Sequence, residues 1–195
     1  MAQFISYDPN IEVASIYVFS FINSMRRDIE YRQEVLARHN IIAQKDNVWY
    51  PLQHFFDAMK EIGETTGEMN LFIMGLSAIK NTPITSNTNL KDVLMMTNNR
   101  IHSLHRLHGK PMYNMQTGEK LEGLGNIVLT EFDDINRTAT IVSENAYPSK
   151  TEEGVFTGRL QQYKPINSEF HQVKEDITLP RKSQGDDSTT FLLRW

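Results

Sequence analysis

The stretch NAYPSKTEEGVFTGRLQQY, residues 145–163, decides how the second half of the chain is expected to fold. After a proline turn, Ser149 precedes Glu152 at the spacing of a capping box, in which the two residues satisfy first-turn amides of a helix. Gly154 and Gly158 lie one helical turn apart, and such small residues let a helix backbone approach the sheet closely. We therefore predict a closely packed helix from about residue 149 onwards. Its solvated side would be formed by charged residues, Glu152, Glu153 and Arg159.

Strand patterns lie on both sides of this helix. Residues 126–134 and 137–145 alternate apolar and polar side chains around a short turn, which is typical of a β-hairpin. Residues 169–179 and 189–195 predict two further strands, and the glycine and aspartates of residues 184–187 are typical of the turn before the last one. The order β-β-α-β-β indicates an α+β fold, in which helices pack on a small antiparallel sheet.

The N-terminal half is predicted to be helical. Residues 67–80 are apolar nearly all round, which indicates a buried helix. At 195 residues we expect a single ligand-binding-type domain, 1–195, with a helical part of about residues 1–110 and a sheet part of about residues 125–195. The predicted helices cover residues 12–27, 30–39, 51–63, 67–80 and 90–108, and residues 109–125 are expected to be irregular.

Composition argues against several classes of site and partner. The chain has no cysteine, which rules out disulfides, thiolate chemistry and cysteine-bound metals. A net charge of −4 with interspersed signs argues against nucleic acid as the main partner. The N-terminal apolar run is far shorter than the roughly 20 residues that span a bilayer. We expect a cytoplasmic protein with no membrane partner, and not an enzyme, because no glycine-rich cofactor motif is present.

Four passages carry a family resemblance: residues 48–80, 98–105, 145–163 and 184–195. Their order and spacing resemble the bacterial ligand-sensing superfamily that includes the four-vinyl reductase domain. More distantly, the chain is similar to haem nitric-oxide/oxygen-binding domains and to trafficking-complex subunits of similar fold. The resemblance covers roughly residues 30–195. It implies a compact α+β domain with an apolar pocket among helices and sheet, in a family where many members are dimeric sensory modules.

The chain departs from this family at its cysteines. Many relatives carry cysteine at the positions of Ser149, Arg181 and Thr189. The resemblance therefore implies that any cysteine-bound metal of the family is missing here.

Three histidines follow one another at intervals of three residues, His102, His105 and His108. On a helix this spacing projects them to one side. They could line a polar edge, line a ligand pocket or share a metal. A zinc site would need further ligands, so we predict no dedicated metal site.

The resemblance adds a haem interpretation. In gas-sensing relatives a histidine late in a long helix binds haem iron, and a Tyr-x-Ser-x-Arg motif holds the propionates. By this resemblance His102 would occupy the position of that histidine, and Tyr147 and Ser149 match the motif. Thr151 replaces the arginine and so removes a fixed charge that pairs bidentately with carboxylates, which Lys150 could replace in part.

The methionines and aromatic residues of the helical half suit either a core or an adaptable apolar pocket. We predict a non-enzymatic sensory or regulatory domain for a small apolar or aromatic ligand, acting as a homodimer or through a separate signalling partner. The alternatives are a haem-binding gas or redox sensor that uses His102, and a scaffold protein without a ligand. Haem is the one cofactor that we consider. The residues expected to line a pocket are Phe72, Met95, His102, His105 and Tyr147.

Overall fold

The computed structural model describes residues 3–23, 29–42, 47–80 and 88–195, and its fold is α+β, as predicted. Within these ranges there are two four-stranded antiparallel sheets. No helix among the described residues is long and apolar enough to cross a bilayer. In chain order the elements are β1 (Ile11–Ala14), α1 (Ser15–Ile22), α2 (Ile29–Arg38), β2 (Trp49–Pro51), α3 (Leu52–Thr66), α4 (Glu68–Lys80), α5 (Leu90–Ser103), β3 (His105–Leu107), β4 (Lys110–Pro111), β5 (Ile127–Asp133), β6 (Thr138–Ser143), α6 (Ser149–Tyr163), β7 (Gln172–Glu175) and β8 (Thr189–Arg194).

The C-terminal sheet confirms the predicted β-β-α-β-β order, with strands arranged β5-β6-β8-β7. At its centre Ile141 of β6 lies opposite Phe191 of β8, and both side chains are fully buried. The Phe191 ring packs edge-on against Phe156 of α6, with 5.1 Å between ring centroids. The inward residues of the sheet therefore rest on the helix that connects its two hairpins.

The first sheet, β2-β1-β3-β4, was missed because its strands are two to four residues long and pair across the chain. The predicted helix of residues 12–27 is wrong at its start, since residues up to Ala14 belong to β1 and α1 follows only from Ser15; residues 24–28 lie outside the described ranges. The predicted helix of residues 90–108 is also too long. It ends at Ser103, because β3 pairs with β1, where Arg106 forms a two-point ion pair with Glu12.

Other boundaries move by a few residues. Pro51 ends β2 and precedes α3 instead of occupying its first turn, and α3 continues past Gly63 to Thr66. The predicted strand of residues 169–179 is confined to β7. The turn before β8 is confirmed, with Gly185 in a left-handed conformation at φ +94°.

Helices α4 and α6 cross with their backbones in contact. A Cβ atom built on Gly75 of α4 would lie 1.9 Å from Thr151 O, and one built on Gly154 of α6 would lie 2.1 Å from Phe72 O. The close approach predicted for α6 is present, but its predicted partner is wrong, because Gly154 and Gly158 face α4 and not the sheet. The all-round burial predicted for residues 67–80 is wrong, because Met69 is 67% exposed on the side of α4 that faces away from its neighbours.

We expect Gly154→Ala to destabilise the protein by about 1–3 kcal/mol or more, because the added methyl group meets backbone that must shift. The matched control is Gly63→Ala, also within a helix, whose new methyl would meet only the flexible end of Leu71 at 2.9 Å. That control gains up to ~1 kcal/mol of helix propensity. Urea unfolding followed by far-ultraviolet circular dichroism measures both. Equal effects of the two substitutions would contradict the close crossing.

Candidate functional site

The structure brings two of the predicted site residues together, His105 and Tyr147. His105 Nδ1 lies 2.7 Å from Ile101 O, and its Nε2 lies 2.7 Å from the Tyr147 hydroxyl. Because a carbonyl oxygen can only accept, Nδ1 carries the hydrogen and Nε2 accepts the hydrogen bond that Tyr147 donates. Burial lowers the pKa of His105 to about 4 and raises the pKa of Tyr147. The pair is therefore a neutral, fully buried contact between β3 and the turn before α6.

His102 lies in the last turn of α5 and is 2% exposed. Its Nδ1 lies 2.9 Å from Asn98 O, and no described residue forms a hydrogen bond with its Nε2. Burial is the main cause that lowers its pKa. His108 is exposed beyond the end of the helix, so the predicted common face of three histidines is wrong. Among the described residues there is no group of three or more potential metal ligands.

The Tyr147–Ser149–Thr151 motif is occupied by internal contacts. The Ser149 hydroxyl lies 2.9 Å from that of Thr189, while the buried hydroxyl of Thr151 has no partner among the described residues. Lys150 points outward and donates to Glu153 at 2.7 Å. In the described structure, the side chains of this motif thus bond to the protein itself or lie buried without a partner.

The capping box predicted for α6 is absent, since Pro148 precedes the helix and no side chain caps it. Glu152 instead is buried, and it accepts hydrogen bonds from Ser143, Asn145 and Lys182. Lys182 also donates to Tyr147 O at 2.9 Å. Its pKa is lowered by burial, an effect that the charge of Glu152 opposes. The prediction that Glu152 faces solvent is wrong, and Lys182 was missed because no sequence pattern marks a buried lysine.

Two neighbouring clefts open between the helices. The inner cleft, with a volume of about 270 Å³, lies between α1, α4, α5 and α6. The outer cleft, with a volume of about 580 Å³, lies between α5, α6 and the segment after β4. Both are bordered by the same three residues, Arg100, Leu104 and Arg159. The walls of the inner cleft are mainly apolar and include Ile16, Phe21, Ala78, Ile79, Ile101 and Val155.

The residues predicted to line a pocket do not line either cleft. Met95 is 54% exposed, and Phe72 lies on α4, where its carbonyl oxygen meets Gly154. His105 and Tyr147 lie behind Tyr17, a wall residue of the inner cleft. The Tyr17 ring packs edge-on against both, with centroid distances of 5.7 Å to His105 and 6.1 Å to Tyr147. One aromatic ring thus separates the buried pair from the cleft.

Comparison with known proteins identifies the fold. One similar structure is an oxygen-binding H-NOX domain related to soluble guanylate cyclases, in its oxygen complex; it is 16% identical, covers 93% of each chain and has a TM-score of 0.57. The chain has an H-NOX-like fold. Another structure, from work on haem distortion in the H-NOX family, is 16% identical over 93% of this chain and 94% of that one, with a TM-score of 0.58. No family model and no curated protein sequence matches the chain.

In this structure the residues that the resemblance assigned to haem lie outside the two clefts, and two of them are bonded within the protein. His102 lines neither cleft. The Tyr147 hydroxyl and that of Ser149 are bonded within the protein. The inner cleft is also slightly smaller than the roughly 300–1,000 Å³ of typical ligand pockets. Apolar contacts with a smaller molecule suit this cleft better.

The buried His105 predicts a pH dependence of stability. Its pKa of about 4 lies below the value near 6.5 of an unfolded chain, so the unfolded state binds the proton first. Stability from this group is complete above pH 6.5 and falls as the pH drops towards 4, by on the order of 3 kcal/mol. We expect His105→Gln to flatten this part of the profile, as measured by urea unfolding between pH 7 and pH 4. His108→Gln, at an exposed position, is the control and should keep the wild-type slope. Identical slopes for wild type and His105→Gln would contradict the assignment.

Proposed function

We propose that the chain is a non-enzymatic sensory or regulatory domain that binds a small, largely apolar molecule in the inner cleft. The observation that supports this proposal most directly is the position of the cleft. It lies among four helices of a fold whose solved examples include an oxygen-binding domain related to soluble guanylate cyclases, and its walls are mainly apolar. Concave apolar sites with a few polar groups are the usual form of small-molecule sites.

A ligand in the inner cleft would contact elements from both halves of the chain. Tyr17 would touch it from α1, Ile101 from α5 and Val155 from α6. Tyr17 in turn packs on the His105–Tyr147 pair. Occupancy of the cleft would therefore bias the packing of α5 against α6, and the signal would leave through a homodimer or a separate partner.

A catalytic role is less well supported by the buried polar pair. General acid–base catalysis works best when the pKa of the group lies near the working pH. Burial moves the pKa of His105 down to about 4 and that of Tyr147 upward, so that neither group exchanges protons near pH 7. These pKa shifts argue against proton transfer by this pair.

Haem binding at His102 is the second candidate, and the likeness to H-NOX structures favours it. A further supporting feature is His102 Nε2, which forms no hydrogen bond with the described residues and so keeps its lone pair. The contacts of Tyr147 and Ser149 argue for the first candidate, since a haem bound as in the relatives would have to break them.

Binding of an apolar probe tests the first candidate. We expect 1-decanol to raise the melting temperature of the protein, because it fills an apolar cleft of the native state alone. Ser20→Phe should abolish this shift, since Ser20 lines the inner cleft and a phenyl ring would occupy it. Ile135→Phe, at a position 93% exposed, is the control and should leave the shift unchanged. An equal shift for wild type and Ser20→Phe would place the alcohol elsewhere.

Titration with haemin separates the two candidates. We expect wild type and His102→Ala to give the same broad absorption, because His102 is buried and lines neither cleft. A sharp Soret band in the wild type that is lost in His102→Ala would favour the haem sensor instead. Native mass spectrometry of the purified protein provides an independent check for a retained ligand.

A further inference from the structure

Arg159 of α6 is a buried charge that has no partner among the described residues. It is 4% exposed, and its Nε is fully buried and unbonded. No described residue offers its guanidinium group a hydrogen bond or an ion pair. Arginine is almost never buried in this way unless it is paired, because transferring an unpaired charge out of water is expensive. The sequence predicted Arg159 on a solvated side of the helix, so its burial is a finding of the structure.

The surroundings of Arg159 are positive or neutral. Arg100 of α5 acts on it electrostatically, as do the side chains of Tyr17 from α1 and Tyr163 from α6. Burial first, and then the charge of Arg100, lowers the pKa of Arg159 to about 10, so it remains charged at neutral pH. None of the groups that act on it is a carboxylate. Two guanidinium groups thus face a common space with no described counter-charge.

That space is the junction of the two clefts. Arg100 and Arg159 border both the inner and the outer cleft, together with Leu104. Two of the three hydroxyl-bearing residues of the inner cleft bond within their own helices, since Ser20 donates to Tyr17 O and Thr97 donates to Val93 O; the third is Tyr17. A ligand would therefore meet apolar walls inside and two arginines at the junction.

We propose that the ligand of this domain is an apolar carboxylate, whose hydrocarbon part lies in the inner cleft and whose carboxylate binds Arg159 and Arg100. This inference rests on the proposed function, because it names the chemical class of the ligand for the same cleft. Arginine suits this task because its planar fork pairs with both oxygens of a carboxylate. Binding would also supply the counter-charge that the buried guanidinium lacks.

Decanoate and 1-decanol test the inference, because they share a hydrocarbon chain and differ in charge. Isothermal titration calorimetry should show decanoate binding the wild type about 10- to 100-fold more tightly than 1-decanol, the range expected for hydrogen bonds to charged groups. Arg159→Met should bring the ratio of the two affinities close to one, because it weakens the binding of decanoate and leaves that of 1-decanol unchanged. Arg194→Met, which removes an exposed arginine at the end of β8, is the control and should keep the wild-type ratio.

Arg159→Met has a second expected effect that also shows whether the variant folds. Without ligand it should melt at a higher temperature than the wild type, because an unpaired buried cation is replaced by an unbranched apolar side chain. Arg100→Met, at an exposed position, is an independent variant. It should lower the ratio of decanoate affinity to 1-decanol affinity by a smaller factor than Arg159→Met does.

The outcomes distinguish this inference from the proposed function. If the wild type binds decanoate and 1-decanol equally, or if Arg159→Met keeps the preference for decanoate, the anion site is refuted and the cleft still stands as a ligand site. If the wild type binds neither probe, the cleft itself is refuted and both proposals fail. Acetate should bind too weakly to detect, because it lacks the hydrocarbon chain; tight acetate binding would also overturn the inference.

Discussion

Phe72 O of α4 lies so close to Gly154 of α6 that no side-chain carbon fits between the two backbones. The reciprocal contact, between Gly75 and Thr151 O, closes the crossing from the other side. The positions of the α6 residues that line the inner cleft follow from this crossing. Val155 and Arg159 directly follow Gly154 and Gly158, so the glycines that face α4 also determine where the two cleft residues of α6 lie.

The buried ion pair of Glu152 and Lys182 holds the start of the same helix. Such a pair gains little net stability, since its attraction mainly offsets the loss of hydration, but breaking it leaves one charge unpaired at a cost of about 3–5 kcal/mol. Lys182 also donates to Tyr147 O, and Tyr147 donates to His105 at the start of β3. The pair therefore joins the turn before β8, the start of α6 and the end of α5 in one network, directly behind the cleft wall formed by Tyr17.

The C-terminal half was predictable because its signals are local. The hairpin of β5 and β6 and the helix α6 depend on alternation, a proline turn and spaced glycines, all within a few tens of residues. The strand β1 could not be predicted in this way. Its four residues form a strand by pairing with β2 and β3, which lie about 35 and 90 residues further along the chain. Likewise the sequence predicts that Glu152 and Arg159 face solvent, and only the tertiary packing places both in the interior.

The haem interpretation and the proposed anion site each require an arginine on α6, but at different positions along the helix. The resemblance expects the carboxylate-binding arginine at the position of Thr151, whose hydroxyl is buried without a partner. The arginine that α6 does carry inward is Arg159, eight residues later, which at a rise of 1.5 Å per residue is about 12 Å along the helix. A carboxylate held there would lie away from His102, which borders neither cleft. On this proposal α6 would bind an apolar acid through Arg159, while His102, His105 and Tyr147 are buried in the core.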